Sequence, residues 1–153
     1  MTPKIWELIS ILLSALVGGM FWGPWVGLSR SMATFRPEVF LAIGHRMINN
    51  FGVAMPIVMP AALLSTVPVM LLSYGGRPKT FYPTLAGFGL FLIALPVTVL
   101  IEVPIVNQIK TWTATTLPGN WQQLRDRWER FHVVRVVAAV AGLAFLVAGA
   151  ICG

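Results

Sequence analysis

Residues 121–152 read WQQLRDRWERFHVVRVVAAVAGLAFLVAGAIC, and no charged side chain follows Arg135 in that stretch. From Val133 onward the run has the ~20 apolar residues that a helix needs to cross a bilayer. Segments of the same kind precede it at about residues 5–28, 48–72 and 81–106. The chain is therefore expected to be all-α, an integral membrane four-helix bundle forming one domain over residues 1–153. A short interfacial helix over about 121–132 should lead into the fourth span. Composition agrees, because 57% of the residues are hydrophobic and 10% are charged, against roughly 25% charged in a soluble domain.

Lys4 followed by an apolar run has the outline of a secretory signal peptide. The run exceeds the ~7–15 residues of such a segment, so it is expected to remain as a span. Cys152 is the only cysteine, which excludes an internal disulfide and a cysteine-based zinc or iron–sulfur site. The net charge of +6 does not imply a nucleic-acid partner, since no polar surface is left to form a groove-binding module. Membrane lipids are the expected surroundings, and the charge is read as a topology signal.

That signal is lopsided. Arg30, Arg36, Arg46, Lys110, Arg125, Arg127, Arg130 and Arg135 fall at one end of the spans, and Lys4, Arg77 and Lys79 at the other. Basic loops stay inside, so loops 29–47 and 107–132 are expected in the cytoplasm of a bacterial inner membrane, with both termini outside. Trp22, Trp25, Trp112, Trp121 and Trp128 crowd the same end, leaving Trp6 alone at the other. An aromatic belt populates both interfaces, so a belt by itself does not account for this.

Pro56, Pro60 and Pro68 in the second span and Pro83, Pro96 and Pro104 in the third predict kinks or local openings. In the first span Ala15, Gly19, Gly23 and Gly27 recur every four residues, a stripe along which another helix can pack closely. Asn120 stands where it can cap the last helix, with Gln123 in capping-box position.

Along that last helix Trp121, Arg125, Trp128, His132 and Arg135 advance by four, three, four and three. At 100° per residue they share an arc of about 80°. Arg125 with Glu129 and Asp126 with Arg130 are spaced to pair on the neighbouring faces. Ala139, Gly142, Leu146 and Gly149 continue the stripe as a packing surface. Ionisable groups inside a bilayer usually face a bundle interior or a wet cavity, and snorkelling to lipid phosphates gives no reason for five such residues to share a face. A shared polar pocket is the expectation. Its opposite wall can be drawn from Glu102, as counter-ion to Arg135 or Arg30 or in chemistry, and from His45 and Asn49, which share a face of the second span. His45, Glu102 and His132 would also make a two-histidine, one-carboxylate metal set, though no local ligand-spacing motif supports it.

The run Glu102-Val-Pro-Ile-Val-Asn107, then Trp112, Leu117-Pro118-Gly-Asn-Trp121 and Arg127-Trp128-Glu-Arg-Phe-His132-Val-Val-Arg135 resembles the signature of the anthrone oxygenase-like family. Val106 and Gln108 depart mildly from it. The resemblance implies a small four-helix membrane protein that oxidises an activated aromatic or phenolic substrate with O2, as a monooxygenase-type oxidoreductase without metal, flavin or other cofactor. It implies His132 or Glu102 as base and Arg135 and Arg125 as holders of the substrate anion. Asn107 or Asn49 would be hydrogen-bond donors, Trp121 and Trp128 stacking partners, and Trp112 part of the same substrate-binding set. The rival reading is a non-catalytic helical subunit, or a lipid- or pigment-binding scaffold, in a homo-oligomer or larger membrane complex. A transporter fits less well, because no inverted repeat is visible.

Overall fold

The computed structural model describes residues 3–153. Helix α1 (Pro3–Gly27) leads through a 3-10 turn (Ser29–Thr34) into α2 (Pro37–Ser73), and α3 (Pro78–Val97) follows a tight turn at Gly75. A π-turn (Thr98–Glu102) joins α3 to α4 (Val103–Ile109), and α5 (Trp121–Cys152) closes the bundle. Four stretches are long and apolar enough to cross a membrane, namely Pro3–Thr34, Pro37–Ser73, Pro78–Ile109 and Trp121–Cys152. This is the architecture of a multi-pass integral membrane protein.

The bundle is turned inside out relative to a water-soluble one. Leu71, Val53, Leu100 and Ile151 point outward, each more than 70% exposed, while Ser10, Ser14, Ser65, Thr66, Ser73, Thr80 and Thr84 are buried. Burying a hydroxyl is costly unless it is bonded. Ser10, Ser65, Thr66 and Ser73 donate to carbonyls three or four residues back in their own helices, so they need no partner on another helix.

Packing is tightest where α3 crosses α5. A Cβ on Gly87 would lie 2.8 Å from the Gly142 carbonyl oxygen, and one on Gly142 would lie 2.9 Å from the Phe91 ring. Glycine is required at this crossing because backbone meets backbone. The face of α1 that packs inward is Glu7, Ser10, Ser14, Val17 and Phe21. A Cβ added at Gly19, Gly23 or Gly27 would meet no atom within 4 Å, so the small-residue stripe of the first span packs on nothing within the described residues.

The helix expected over residues 121–132 leads into the fourth span without a break, as the first turns of α5 (Trp121–Cys152). Several boundaries differ from those expected. The third span runs 78–109 and opens at the π-turn between Pro96 and Pro104. Loop 29–47 is mostly the 3-10 turn and the first turns of α2. The Asn120 side chain makes no cap bond; its carbonyl accepts from Gln123 and Leu124, and Trp121 N–H donates to the Pro118 carbonyl.

Candidate active site

The π-turn places Glu102 on the inner side of the third span, 2% exposed. Such one-turn irregularities are frequent at functional sites. From α5, Arg135 reaches across and its Nη2 donates to Glu102 Oε2 at 2.5 Å. The same Nη2 lies 2.8 Å from His132 Nδ1, and Nη1 donates to Thr98 Oγ1 at 3.3 Å. A guanidinium can only donate, so His132 Nδ1 is an acceptor here and the ring proton sits on Nε2. Nε2 in turn donates to the Phe21 carbonyl at 3.1 Å. Both ring nitrogens of His132 are thus engaged, and the tautomer follows from its partners.

Aromatic rings close around this group. Trp128 stacks on His132 with centroids 5.0 Å apart and planes 8° from parallel, and Arg135 Cζ sits 4.6 Å over the Phe21 ring. Two polar atoms remain buried without a partner, Glu102 Oε1 and Arg135 Nε. An unmatched carboxylate oxygen in a dry site is costly, and one ion pair leaves half of this carboxylate unsatisfied.

Beside it lies a cavity of about 470 Å³, within the ~300–1,000 Å³ of small-molecule sites. Its polar end is Thr98, Glu102, His132 and Arg135, and its walls are apolar, with Met20, Met47, Met55 and Met59 prominent among them. Methionine adapts its shape to flat apolar ligands. Asn107 and Lys110 border the cavity toward the basic end of the bundle.

Of the residues singled out from sequence, Glu102, Asn107, Trp128, His132 and Arg135 line this one cavity. The others lie elsewhere. Arg125 is bound to the Asp126 carboxylate at 2.8 and 2.9 Å, not to Glu129, and stands 5.2 Å over the Trp121 ring. Trp112 is buried among Met32, Phe40, Leu41, Ile105 and Ile109, with Trp121 5.4 Å from Phe40. Together they belong to a second apolar cluster at the basic end of the bundle, where Met32, Phe40, Ile109, Arg125 and Trp128 line a separate, smaller cavity. Arg125 and Arg135 share a face but are ten residues apart, about 15 Å along the helix, and only Arg135 lines this cavity. Asn49 is exposed and is not on the cavity wall. His45 Nε2 meets the Ile109 carbonyl at 2.9 Å, tying α2 to α4. The set His45, Glu102 and His132 is not assembled, and among the described residues no three His, Cys, Asp or Glu side chains could hold a metal ion. Phe21, Thr98 and Lys110 were not anticipated. Thr98 is four residues before Glu102, which put it on the same face; Phe21 carried no local signal.

A family model for anthrone oxygenase matches residues 48–145, the greater part of the chain. The chain belongs to the anthrone oxygenase family. The matched stretch runs from α2 into α5 and contains every ionisable group lining the cavity, whereas Phe21 lies before it. No curated protein and no solved structure is significantly similar to the chain. The membership fixes a family, and the geometry of the cavity must carry the rest.

Proposed function

We propose that the cavity oxidises an activated phenolic polycycle with O2, without metal or flavin. One observation carries this reading: a buried carboxylate with a free oxygen and a guanidinium face the same largely apolar cavity. In an anthrone the reacting carbon is a methylene between two aromatic rings. Glu102 Oε1 removes one of its protons, and the electron pair left behind spreads through the rings onto the carbonyl oxygen. Arg135 faces that oxyanion, in a setting where fixed positive charge acts strongly. The anion passes one electron to O2, and the ring radical and superoxide combine into a C–O–O⁻ peroxide, which takes back the proton held by Glu102. Loss of the second methylene proton to Glu102 cleaves the O–O bond, giving a ring C=O and hydroxide, which leaves as water with that proton. The balance is CH2 + O2 → C=O + H2O.

What favours Glu102 over His132 as base is that His132 has no free lone pair, since its Nδ1 faces Arg135. His132 then holds the guanidinium in place, and Trp128 and the methionines contact the rings. Orientation in the bilayer follows from the charges that remain. Arg125 and Arg135 are buried and paired, yet the basic end still carries the larger share, so it lies on the cytoplasmic side.

The test is oxygen uptake by purified protein in nanodiscs with anthrone as probe. Quinone should form with equimolar O2 consumption and no hydrogen peroxide, faster than in empty nanodiscs by at least the ~100-fold typical of a positioned base. Saturable anthrone binding without turnover would instead make the protein a carrier.

A further inference from the structure

The His45–Ile109 bond sets the register between α2 and the antiparallel third span. Counting seven and then eleven residues along both helices from that bond sets Gly52 opposite Glu102, next to Val103, and Pro56 opposite Thr98, next to Val99. Gly52, Pro56 and Pro60 follow one another every four residues, and so lie on one ridge of α2. All three line the cavity and all three are exposed, as are Val99 and Val103 across from them. A residue that borders the cavity and is also open to the outside marks its rim. The cavity therefore has a mouth, a slot between α2 and the π-turn with α4.

The slot exists for local reasons. Glycine and two proline rings cannot reach across, and Pro56 and Pro60 have no N–H to give to the carbonyls of Gly52 and Pro56. Among the described residues, the only side-chain hydrogen bond across this seam is His45 to Ile109, at its foot. The surfaces beside the rim are the outermost of the molecule: Val53 is 71%, Ile57 67% and Leu100 72% exposed. These side chains belong in lipid. Polar rim residues, Asn107 and Lys110, occur only toward the basic end.

We propose that the cavity fills sideways from the bilayer through this slot, so that its ligand is an uncharged, flat, lipid-soluble polycycle. A water-borne anion would have to shed its hydration along an apolar rim, whereas a planar ring system already dissolved among acyl chains passes between Gly52 and Val103 without that cost. The proposal adds the route of entry to the site described above and rests on that reading only for what becomes of the ligand.

The test uses the full chain in nanodiscs with an uncharged, bilayer-partitioned aryl diazirine, photolysed in place, with carbene insertion mapped by mass spectrometry. Insertion at Met55 and Trp128, both on the cavity wall, should come within about threefold of that at lipid-facing Val53. Gly52→Trp combined with Val103→Trp should lower it at least fivefold at Met55 and Trp128 and leave Val53 unchanged. A Cβ at Gly52 meets no atom within 4 Å, and Val103→Trp alone, at a position 42% exposed, serves as a second plug. No insertion at the two cavity positions in the unaltered protein, or undiminished insertion in the plugged ones, overturns the proposal. Slot-dependent insertion without oxygen uptake would leave the slot standing and remove the oxidation reading instead.

Discussion

Two glutamates are buried in this bundle, one near each end, and their surroundings differ in a way that separates a clamp from a site. Glu7 on α1 is 3% exposed and faces two cations, Arg77 at 2.7 Å from Oε1 and Lys4 at 3.1 Å from Oε2. Lys4 also donates to the Ala150 carbonyl, so the group pins α1 to the turn before α3 and to the end of α5. It lines neither of the bundle's described cavities. Glu102 is as deeply buried, yet it has one cation, one unpaired oxygen and an open cavity beside it. Burial and an arginine partner are common to both. Each also has one oxygen that accepts no hydrogen bond, but Glu7 Oε2 has the Lys4 ammonium 3.1 Å away, whereas Glu102 has no second cation and opens on the cavity.

Removing a partner tests the difference hardest at Arg135. Arg135→Ala strands Glu102 in a dry interior, and breaking a buried pair costs about 3–5 kcal/mol. A large fall in melting temperature is expected in nanodiscs. The double change Arg135→Met with Glu102→Leu removes both charges, and an apolar replacement of that kind is often neutral or better. It should regain most of the lost stability and none of the turnover; a double variant no more stable than Arg135→Ala would contradict the pairing.

Next in size are the two helix seams. Gly87→Ala drives a Cβ against the Gly142 carbonyl at the α3–α5 crossing, and overpacking of this kind costs about 1–3 kcal/mol. Gly52→Ala on the slot meets nothing, and should gain up to about 1 kcal/mol from helix propensity. Thermal melts of the two variants should move in opposite directions. The smallest expected effect is at the clamp: Glu7→Gln frees Lys4 and Arg77, which can then reach water, so its loss is about 1 kcal/mol, with oxygen uptake kept.

Much of this was legible in the chain. The four spans needed only length and hydropathy, and the Trp128, His132, Arg135 face of α5 followed from helical spacing. Glu102 stands out as the carboxylate within the later spans, but the sequence leaves Arg135 and Arg30 both open as its counter-ion, and only the structure pairs it with Arg135. Depth was the part that periodicity could not supply. It aligned Arg125 with Arg135 but said nothing of the ~15 Å between them, and it grouped Trp112 and Trp121 with a pocket they do not line. The small-residue stripe on α1 failed for a related reason. Gly19, Gly23 and Gly27 permit close packing, but which helix face turns inward is decided by the buried row from Glu7 to Phe21. Phe21, which supplies both a ring to Arg135 and a carbonyl to His132, is 111 residues from its partner, and no local pattern announces a contact made at that distance.

The most direct measurement compares the two carboxylates under one assay. Glu102→Gln and Glu7→Gln are each nearly isosteric, so both proteins can be reconstituted and their anthrone-dependent oxygen uptake followed below their melting temperatures. Glu102→Gln is predicted to lose at least about 100-fold in kcat, the lower end of what a general base contributes, while Glu7→Gln keeps the full rate. Retention of the full rate by Glu102→Gln, or an equal loss in both variants, would contradict the assignment of Glu102 as the base.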